Sequence, residues 1–324
     1  MLSKKTIKFI LHLIGPLIFL YIIFQIDYSA LLETIKIVRI PLLSLSFILM
    51  VLEIIIKSWR WETILAALSI HIAKIKSVEL FWLGVFVGVV TPGRTGELIK
   101  VYFLKNKGYD IFRSFFSIIL DRIIDIVFLL FLGVLIFIFY LQAIGTYLFL
   151  FASIFLLLIT IILTSINKES RTHQFLNHFI KIVIPFDLDN YNRFTFNKFW
   201  RGVSGLKVKD ILFFIIYLLI GWLLYLLSRY AIALSIGLEL SFISIITIFV
   251  SVAIVSALPV SIAGLGTREA VIIYFFNISG FSLETALAFS LLVFVIDLVV
   301  ASLGLIPYLK ESALISRAKL LKLE

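Results

Sequence analysis

Six long apolar segments constrain the fold of this chain more than any other feature of its sequence. Each is close to or longer than the roughly 20 residues that an α-helix needs to cross the hydrocarbon core of a bilayer. They occupy residues 9–26, 42–64, 114–140, 147–166, 211–236 and 285–308. The strands of a membrane β-barrel would instead show short alternating segments. We therefore expect an all-α, polytopic integral membrane protein in which residues 1–324 form a single transmembrane domain.

The distribution of positive charge orients these segments. Most of the 29 lysines and arginines flank the ends that we take to be cytoplasmic, as the positive-inside rule requires. The net charge of +10 therefore reflects topology and anionic headgroups, and no nucleic-acid partner is expected. We predict a multi-pass protein of the cell (plasma) membrane with cytoplasmic N- and C-termini. The exceptions are Lys36 and Arg39 in outer loops and Arg94, Arg122, Arg229 and Arg268 within apolar segments.

Two stretches break helices that should otherwise continue. Residues 91–97 read Thr-Pro-Gly-Arg-Thr-Gly-Glu, and residues 259–269 contain a proline, two glycines, an arginine and a glutamate. Proline removes a backbone donor and clashes with the preceding turn, and glycine adds backbone freedom. The apolar runs beside these stretches are too short to span a bilayer. We therefore predict two re-entrant helical hairpins, at residues 78–104 and 242–278, in addition to about six full spans.

The two halves of the chain resemble each other. Ser58-Trp59-Arg60 and Leu68-Ser69-Ile70 precede the first break, and Ser228-Arg229-Tyr230 and Leu234-Ser235-Ile236 precede the second. Asp125 and Asp297 follow the breaks in similar apolar contexts. Residues 42–140 and 211–308 therefore look like two copies of one unit. Three crossings separate their starts, so the second copy is expected to be inverted, an arrangement typical of transporters.

The large inner loop, residues 167–210, is expected to be cytoplasmic and to contain an amphipathic helix. Its apolar stripe comprises Phe175, Leu176, Phe179, Ile180 and Val183. Such a helix would lie in the membrane interface or pack against the bundle, and the sequence leaves both open.

Ionisable residues inside apolar segments need a physical reason, since each costs at least about 2.5–3.5 kcal/mol at a helix centre. One explanation is a set of buried ion pairs that fixes the hairpins to the spans, and the other is a polar cavity used by a substrate. We favour the cavity for the set as a whole. Its members are Glu53, Arg94, Glu97, Asp121, Arg122, Asp125, Arg229, Arg268, Glu269 and Asp297.

A phosphate-binding site is the chemistry that this set suits best. Arg94 and Arg268 lie where a returning helix starts, and free backbone N–H groups there favour anions. The planar arginine fork binds phosphate bidentately, and glycines let a headgroup approach the backbone. Carboxylates would balance the arginines in the empty state or couple to protons. The predicted substrate-binding residues are Gly93, Arg94, Gly96, Glu97, Arg122, Asp125, Gly264, Gly266, Arg268, Glu269 and Asp297.

Catalytic and metal chemistry find little support. The chain has no cysteine, and its four histidines lack the spacing of metal ligands. Hydrolase, phosphate-loop and dinucleotide motifs are also absent from the sequence. We expect no metal, no cofactor and no catalytic residue. Transport would then run downhill or be coupled to an ion.

Three elements together resemble the lysylphosphatidylglycerol synthase transmembrane region, or flippase-like, family. They are residues 91–97, the element Asp121-Arg122-Ile123-Ile124-Asp125, and the proline-to-glutamate stretch at residues 259–269. The family's second element usually begins with Glu, so Asp121 departs from it conservatively. The resemblance implies the lipid-translocating region without the soluble aminoacyl-transferase domain, and it argues against the synthase reaction.

The function expected is therefore translocation of a phosphate-bearing lipid or a polyprenyl-phosphate-linked headgroup. One alternative is an intramembrane transferase, or an accessory factor in lipid or cell-envelope glycolipid synthesis, with Glu97 or Asp125 as a base. A second alternative is a secondary transporter of a small anion. The expected partners are a phospholipid or polyprenyl-phosphate lipid and the membrane. The sequence leaves open whether the chain also forms a homodimer.

Overall fold

The fold is taken from a computed structural model that describes residue 24 and residues 28–89, 91–140, 208–256 and 264–309. At residues 92–94, 137–140, 208 and 210 only the backbone is described. The spans expected at residues 9–26 and 147–166, and almost all of the loop 167–210, lie outside the described residues. The helices are α1 (Tyr28–Lys36), α2 (Ile40–Ala67), α3 (Lys74–Val89), a 3-10 helix (Pro92–Leu98), α4 (Ile99–Asn106), α5 (Ile111–Tyr140), α6 (Val208–Ser235), α7 (Phe242–Ser256), α8 (Thr267–Ile278) and α9 (Leu283–Ser302).

Every regular element in the described ranges is helical, which confirms the all-α class for this part of the chain. Three stretches there are long and apolar enough to cross a membrane: Ile40–Ala67, Ile211–Ser235 and Leu283–Leu309. Many of their large apolar side chains are exposed, for example Ile48, Leu219 and Leu298. Exposed contiguous apolar surface on long helices is what a lipid environment requires. The protein is therefore embedded in a membrane.

Helices α2 and α6 pack against each other as an antiparallel pair. The N–H of Arg39, at the start of α2, donates to the carbonyl of Ser235, at the end of α6, at 2.8 Å. Further along, the hydroxyls of Ser46 and Ser228 lie 2.8 Å apart. Small polar residues at such a contact let two helices approach closely and share hydrogen bonds.

Helices α3 and α4 form a helical hairpin with a tightly folded tip around the predicted residues 78–104, and its re-entrant path through the membrane stays a prediction. Helix α3 packs against both the 3-10 helix and α4, so the chain reverses at residues 91–98. The Thr91 hydroxyl accepts a hydrogen bond from the N–H of Gly96 at 2.7 Å. A Cβ at Gly96 would lie only 2.3 Å from the carbonyl oxygen of Val87. Glycine is therefore required there because the tip packs on the backbone of α3.

Helices α7 and α8 pack together and begin and end at residues 242 and 278, the bounds expected for the second hairpin, whose re-entrant path stays a prediction. Pro259 lies outside the described residues. Gly266 precedes α8 with φ of 82°, and Gly264 has φ of 75°. Left-handed backbone of this kind is readily adopted by glycine, so the two glycines set the direction in which α8 starts.

Helices α2 and α6 are matched in length and in the way they end. Each has 28 residues. Each is followed by a left-handed residue, Ser69 (φ 61°) and Gly237 (φ 74°). The next N–H then bonds back into the helix, from Ile70 to Leu65 at 2.8 Å and from Leu238 to Ala233 at 3.0 Å. Local geometry thus pairs Ser69 with Gly237, whereas the Leu-Ser-Ile comparison had paired it with Ser235.

The ends of the two hairpins match in the same way. Gly108 and Gly280, both with positive φ, follow α4 and α8. Two residues later, Asp110 and Ser282 accept backbone hydrogen bonds at the positions that directly precede α5 and α9. The members of each pair are separated by the same 172 residues (280 less 108, 282 less 110). The same interval relates Glu97 to Glu269 and Asp125 to Asp297.

Helix α9 packs against the first hairpin. The indole N–H of Trp82, on α3, donates to the carbonyl of Val300 at 2.7 Å. A Cβ at Gly304 would lie 2.4 Å from the Trp82 carbonyl oxygen. This close approach brings α9, from the second half of the chain, beside α3 from the first.

Candidate functional site

A cavity of about 130 Å³ lies between helices from both halves of the chain. Apolar residues such as Met50, Phe81 and Phe294 form part of its wall, and α2, α3, α5, α6, α8 and α9 all contribute. Ionisable residues form the rest. They are Glu53, Lys57, Asp121, Arg122, Asp125, Arg229, Arg268 and Asp297.

Arg60 binds two carboxylates of α5. Its Nη1 and Nη2 donate to the two oxygens of Asp125 at 2.6 and 2.9 Å. Its Nε donates to Asp121 at 3.0 Å, and Nη2 lies 2.7 Å from the same carboxylate oxygen. Arg60 is fully buried, although the charge pattern had assigned it to a cytoplasmic helix end. A buried guanidinium held by two carboxylates fixes α2 to α5.

Arg229 and Asp297 form a second arginine–carboxylate pair, between α6 and α9. Nη2 of Arg229, on α6, donates to Asp297, on α9, at 2.6 Å. The guanidinium lies over the rings of Tyr225 and Phe249, at 4.5 and 5.5 Å from their centroids. Arg229 is 1% exposed, whereas the Asp297 side chain is 31% exposed. Arg229 is therefore enclosed by its neighbours, whereas the carboxylate of Asp297 is partly accessible.

Glu97 contacts two cations. It forms an ion pair with Arg122 of α5 and lies 3.3 Å from the ammonium of Lys100. Lys100 is buried, and its ammonium lies 4.9 and 4.7 Å from the ring centroids of Trp61 and Phe81. Cation–π contacts of this kind stabilise a desolvated ammonium. The first hairpin is thus joined electrostatically to α5.

Arg268 and Glu269 are paired within the second hairpin. Nη2 of Arg268 donates to the Glu269 carboxylate at 2.6 Å, and Ser290 of α9 donates to the same oxygen at 3.0 Å. The other Glu269 oxygen accepts from the N–H of Gly266 at 2.6 Å. Arg268 also lies over the Phe294 ring at 5.1 Å. These contacts join α8 to α9.

Two of the backbone N–H groups at the predicted phosphate site already have partners. The N–H of Gly266 is occupied by the Glu269 carboxylate, and the N–H of Gly96 by the Thr91 hydroxyl. The space beside Gly96 is filled by the carbonyl of Val87 and not left for a headgroup. An anion in this cavity would therefore meet arginine side chains before those two amides.

The structure brings together part of the predicted site. Arg122, Asp125, Arg268 and Asp297 line one cavity. Glu97 and Glu269 lie behind it, each paired with a cavity arginine. Gly264 lies beside Arg268, whose Cβ is 3.8 Å from a Cβ built on the glycine. Gly93 and Arg94 belong to the 3-10 helix, and the Arg94 side chain lies outside the described part of the chain.

Sequence reasoning missed Arg60, Lys57 and Lys100 as members of this cluster, and it named Arg229 without placing it in the site. Lys57 lies 2.5 Å from Glu53 and over the rings of Trp222 and Tyr225 at 5.0 and 5.7 Å. Trp222 in turn donates to Asp125 at 3.2 Å. The one available signal was the position of Arg60 and Arg229 in matching segments before the two helix breaks.

Among the side chains that the structure describes, the cavity and its supporting residues carry equal numbers of opposite charges. The cations are Lys57, Arg60, Lys100, Arg122, Arg229 and Arg268, and the carboxylates are Glu53, Glu97, Asp121, Asp125, Glu269 and Asp297. Balanced charge reduces the penalty of holding ions in a low-dielectric interior. Within the described residues, histidine, aspartate and glutamate form no group that could hold a metal ion.

Long helices with exposed apolar surfaces enclose a charged cavity, and this combination defines a polytopic membrane protein with an internal polar site. The sequence matches the family described as Lysylphosphatidylglycerol synthase TM region over residues 12–304. The chain belongs to that family, which confirms the resemblance found in its motifs.

The chain is also similar to the protein described as "UPF0104 membrane protein PH1989" of Pyrococcus horikoshii. The two are 29% identical over 126 residues, which cover 37% of each chain. The match therefore spans little more than a third of that relative. No solved structure matches the chain significantly.

Proposed function

We propose that this protein moves a phosphate-bearing lipid across the membrane. The headgroup would occupy the charged cavity while the acyl or prenyl chains remain in the surrounding lipid. The cavity is the observation that carries the proposal, because intramembrane charges facing an internal space mark substrate pathways. Membership of the family agrees with a role in lipid-related membrane function.

The arginines in the cavity wall favour an anionic headgroup. Arg122, Arg229 and Arg268 line one space, and a guanidinium fork suits phosphate oxygens. Each arginine already contacts a carboxylate, so a headgroup would exchange with an internal anion and would not meet an unbalanced charge. With such exchange, the arginines would be paired with an anion both in the empty cavity and when a headgroup is bound.

The proposal includes an inverted repeat that would provide two alternating openings. The matched helices α2 and α6 run antiparallel, as the corresponding helices of two inverted units can. The hairpins end in the same local geometry, and Asp125 and Asp297 occupy equal positions, each the fifteenth residue of its helix. Rocking of one half against the other would then expose the cavity to each side in turn.

A headgroup-accessibility assay tests the proposal. The full-length chain would be reconstituted in phosphatidylcholine vesicles containing fluorescent phosphatidylglycerol, and an impermeant reductant would quench the label in the outer leaflet. Wild-type protein should let the inner label reach the reductant, and Arg268→Gln should slow this by roughly tenfold or more. Arg39→Gln, which changes an exposed arginine outside the cavity, is the control.

Three outcomes would count against lipid translocation. One is a wild-type rate equal to that of protein-free vesicles, and another is an Arg268→Gln rate equal to wild type. The third is uptake of inorganic phosphate by vesicles in which lipid does not move, as expected of a small-anion transporter. As a control, Arg268→Lys should keep partial activity, which separates loss of charge from loss of fold.

The transferase alternative is less favoured by the geometry. Both oxygens of Asp125 accept hydrogen bonds from Arg60, and Glu97 is buried in contact with Arg122 and Lys100. Carboxylate oxygens that are already engaged by cations in this way are poorly placed to approach a substrate proton. A lipid product of changed mass would nevertheless restore that alternative.

A further inference from the structure

Arg229 is a buried arginine with unused hydrogen-bonding capacity. It is 1% exposed, lines the cavity, and donates through Nη2 to Asp297. Its Nε and Nη1 have no hydrogen-bond partner anywhere in the described ranges. Buried polar atoms are nearly always hydrogen-bonded, so two unmet donors on one guanidinium need an explanation.

Comparison with Arg60 shows why the donors are unmet. Arg60 has two carboxylate partners on α5, Asp121 and Asp125. On α9, the residue that corresponds to Asp125 is Asp297, but the one that corresponds to Asp121 is Val293 (293 less 121 is again 172). Val293 is an aliphatic residue with 1% exposure. The second half therefore supplies one acceptor fewer for an arginine in a similar setting.

The other cavity arginines are better matched. Arg122 is paired with Glu97, and Arg268 donates from Nε and Nη2 to Glu269 and from Nε to Ser290. Arg60 uses all three of its nitrogens on Asp121 and Asp125. Arg229 is thus a cavity arginine with two buried donors that remain for a further anion.

We infer that Arg229 binds the anionic group of the ligand and that Asp297 is an internal anion which the ligand displaces. The ligand class is a phosphate ester or inorganic phosphate, whose oxygens can accept from the Nε and Nη donors together. Contacts with Tyr225 and Phe249 would hold the guanidinium in place when Asp297 leaves it. Asp297, at 31% exposure, has open space on one side into which it can turn. The choice of a lipid phosphate as ligand rests on the proposed function.

A double-mutant cycle on the purified full-length chain tests this inference. The probes are dihexanoyl-phosphatidylglycerol, inorganic phosphate and, as a phosphate-free control, dihexanoylglycerol. Arg229→Gln should weaken binding of the phosphatidylglycerol by roughly tenfold or more, because charged hydrogen bonds are lost. Asp297→Asn should tighten it, because a competing anion is removed. The double variant should bind as weakly as Arg229→Gln, and Arg39→Gln should bind like wild type.

Unchanged or weaker binding by Asp297→Asn would overturn the inference, and so would a double variant that keeps the tightening. If Arg229→Gln does not fold, the response of Asp297→Asn alone decides. Binding of dihexanoyl-phosphatidylglycerol far above inorganic phosphate identifies a lipid headgroup, and equal binding identifies a free anion. Arg229-dependent binding without lipid movement in vesicles would remove the translocase proposal and leave this site. Lipid movement without Arg229-dependent binding would remove this site and leave the translocase proposal.

Discussion

Asp125 and Asp297 line the same cavity from different helices, and each accepts a 2.6 Å hydrogen bond from a buried arginine. The two arginines differ in the number of carboxylates that accept hydrogen bonds from them. Arg60 also hydrogen-bonds to Asp121, whereas the other carboxylate near Arg229, Glu53, is paired with Lys57 and makes no hydrogen bond with Arg229. The first pair therefore acts as a fixed connection between α2 and α5, and the second borders the space where a ligand would enter.

The Arg60 cluster should be essential for stability. Arg60→Met would leave two buried carboxylates without their shared cation, and breaking such a cluster costs about 3–5 kcal/mol. We expect a lower thermal midpoint in detergent and less folded protein after purification. Arg229→Met leaves one carboxylate that is partly exposed, so its effect should be smaller.

Arg39→Met is the matched control for this comparison, since Arg39 is exposed and should tolerate the change within about 0.5 kcal/mol. Equal midpoints for the Arg60 and Arg229 variants would contradict the difference between the two pairs. An unchanged midpoint for Arg60→Met would remove the fixed connection altogether.

The tip of the first hairpin should reject any side chain at residue 96. Gly96→Ala places a Cβ 2.3 Å from the Val87 carbonyl, so either α3 or the 3-10 helix must move. Overpacking of this kind costs about 1–3 kcal/mol. We expect a lower thermal midpoint and reduced lipid movement in vesicles.

Gly221→Ala provides the comparison, because its Cβ would meet the flexible side chain of Lys57 at an ordinary 3.4 Å. Alanine also favours the helix interior over glycine, so this variant should match or exceed the wild-type midpoint. If both alanine variants behave alike, the close contact at the tip is not what selects glycine at position 96.

Local sequence chemistry predicted the helix breaks well, because proline, glycine and segment length act within a few residues. Residues 242–278 were bounded correctly for this reason. The partners of the charges could not be predicted in the same way. Arg60 and Asp125 lie 65 residues apart, and only the packing of α2 on α5 brings them together. A charge pattern near a helix end also looks the same whether the arginine faces the cytoplasm or the interior.

The predicted repeat shows the same limit. The order of residues indicated that Glu97 corresponds to Glu269, and a constant interval between helix ends supports that pairing. The arginines, however, do not keep their positions. Arg122, on α5, pairs with Glu97, and the residue that corresponds to Arg122 is Phe294, against which Arg268 packs. The charge beside the glutamate is thus supplied by a different element in each half, which a comparison of motifs does not reveal.

The antiparallel contact of α2 and α6 should be open to cross-linking. Ser46 and Ser228 are buried, and their hydroxyl oxygens lie 2.8 Å apart. Replacing both by cysteine places two thiols within reach of each other in a chain that has no other cysteine. We expect a disulfide after mild oxidation, seen by mass spectrometry as loss of maleimide-reactive thiols. Either single variant should remain reactive when unfolded, and a double variant that also stays reactive would contradict this packing.

Opposite orientation of the two hairpins can be measured with single cysteines, again because the natural chain has none. The charge pattern places Lys107, after the first hairpin, in the cytoplasm, and Ser279, after the second, outside. Both residues are exposed at helix ends. In intact cells an impermeant maleimide should label Ser279→Cys, and it should label Lys107→Cys only after permeabilisation. Lys36→Cys, expected outside, is the positive control, because it should label under both conditions. Labelling of Lys107 and Ser279 from the same side would mean that the two hairpins enter from one side, and the inverted repeat would then be wrong even if the cavity binds lipid.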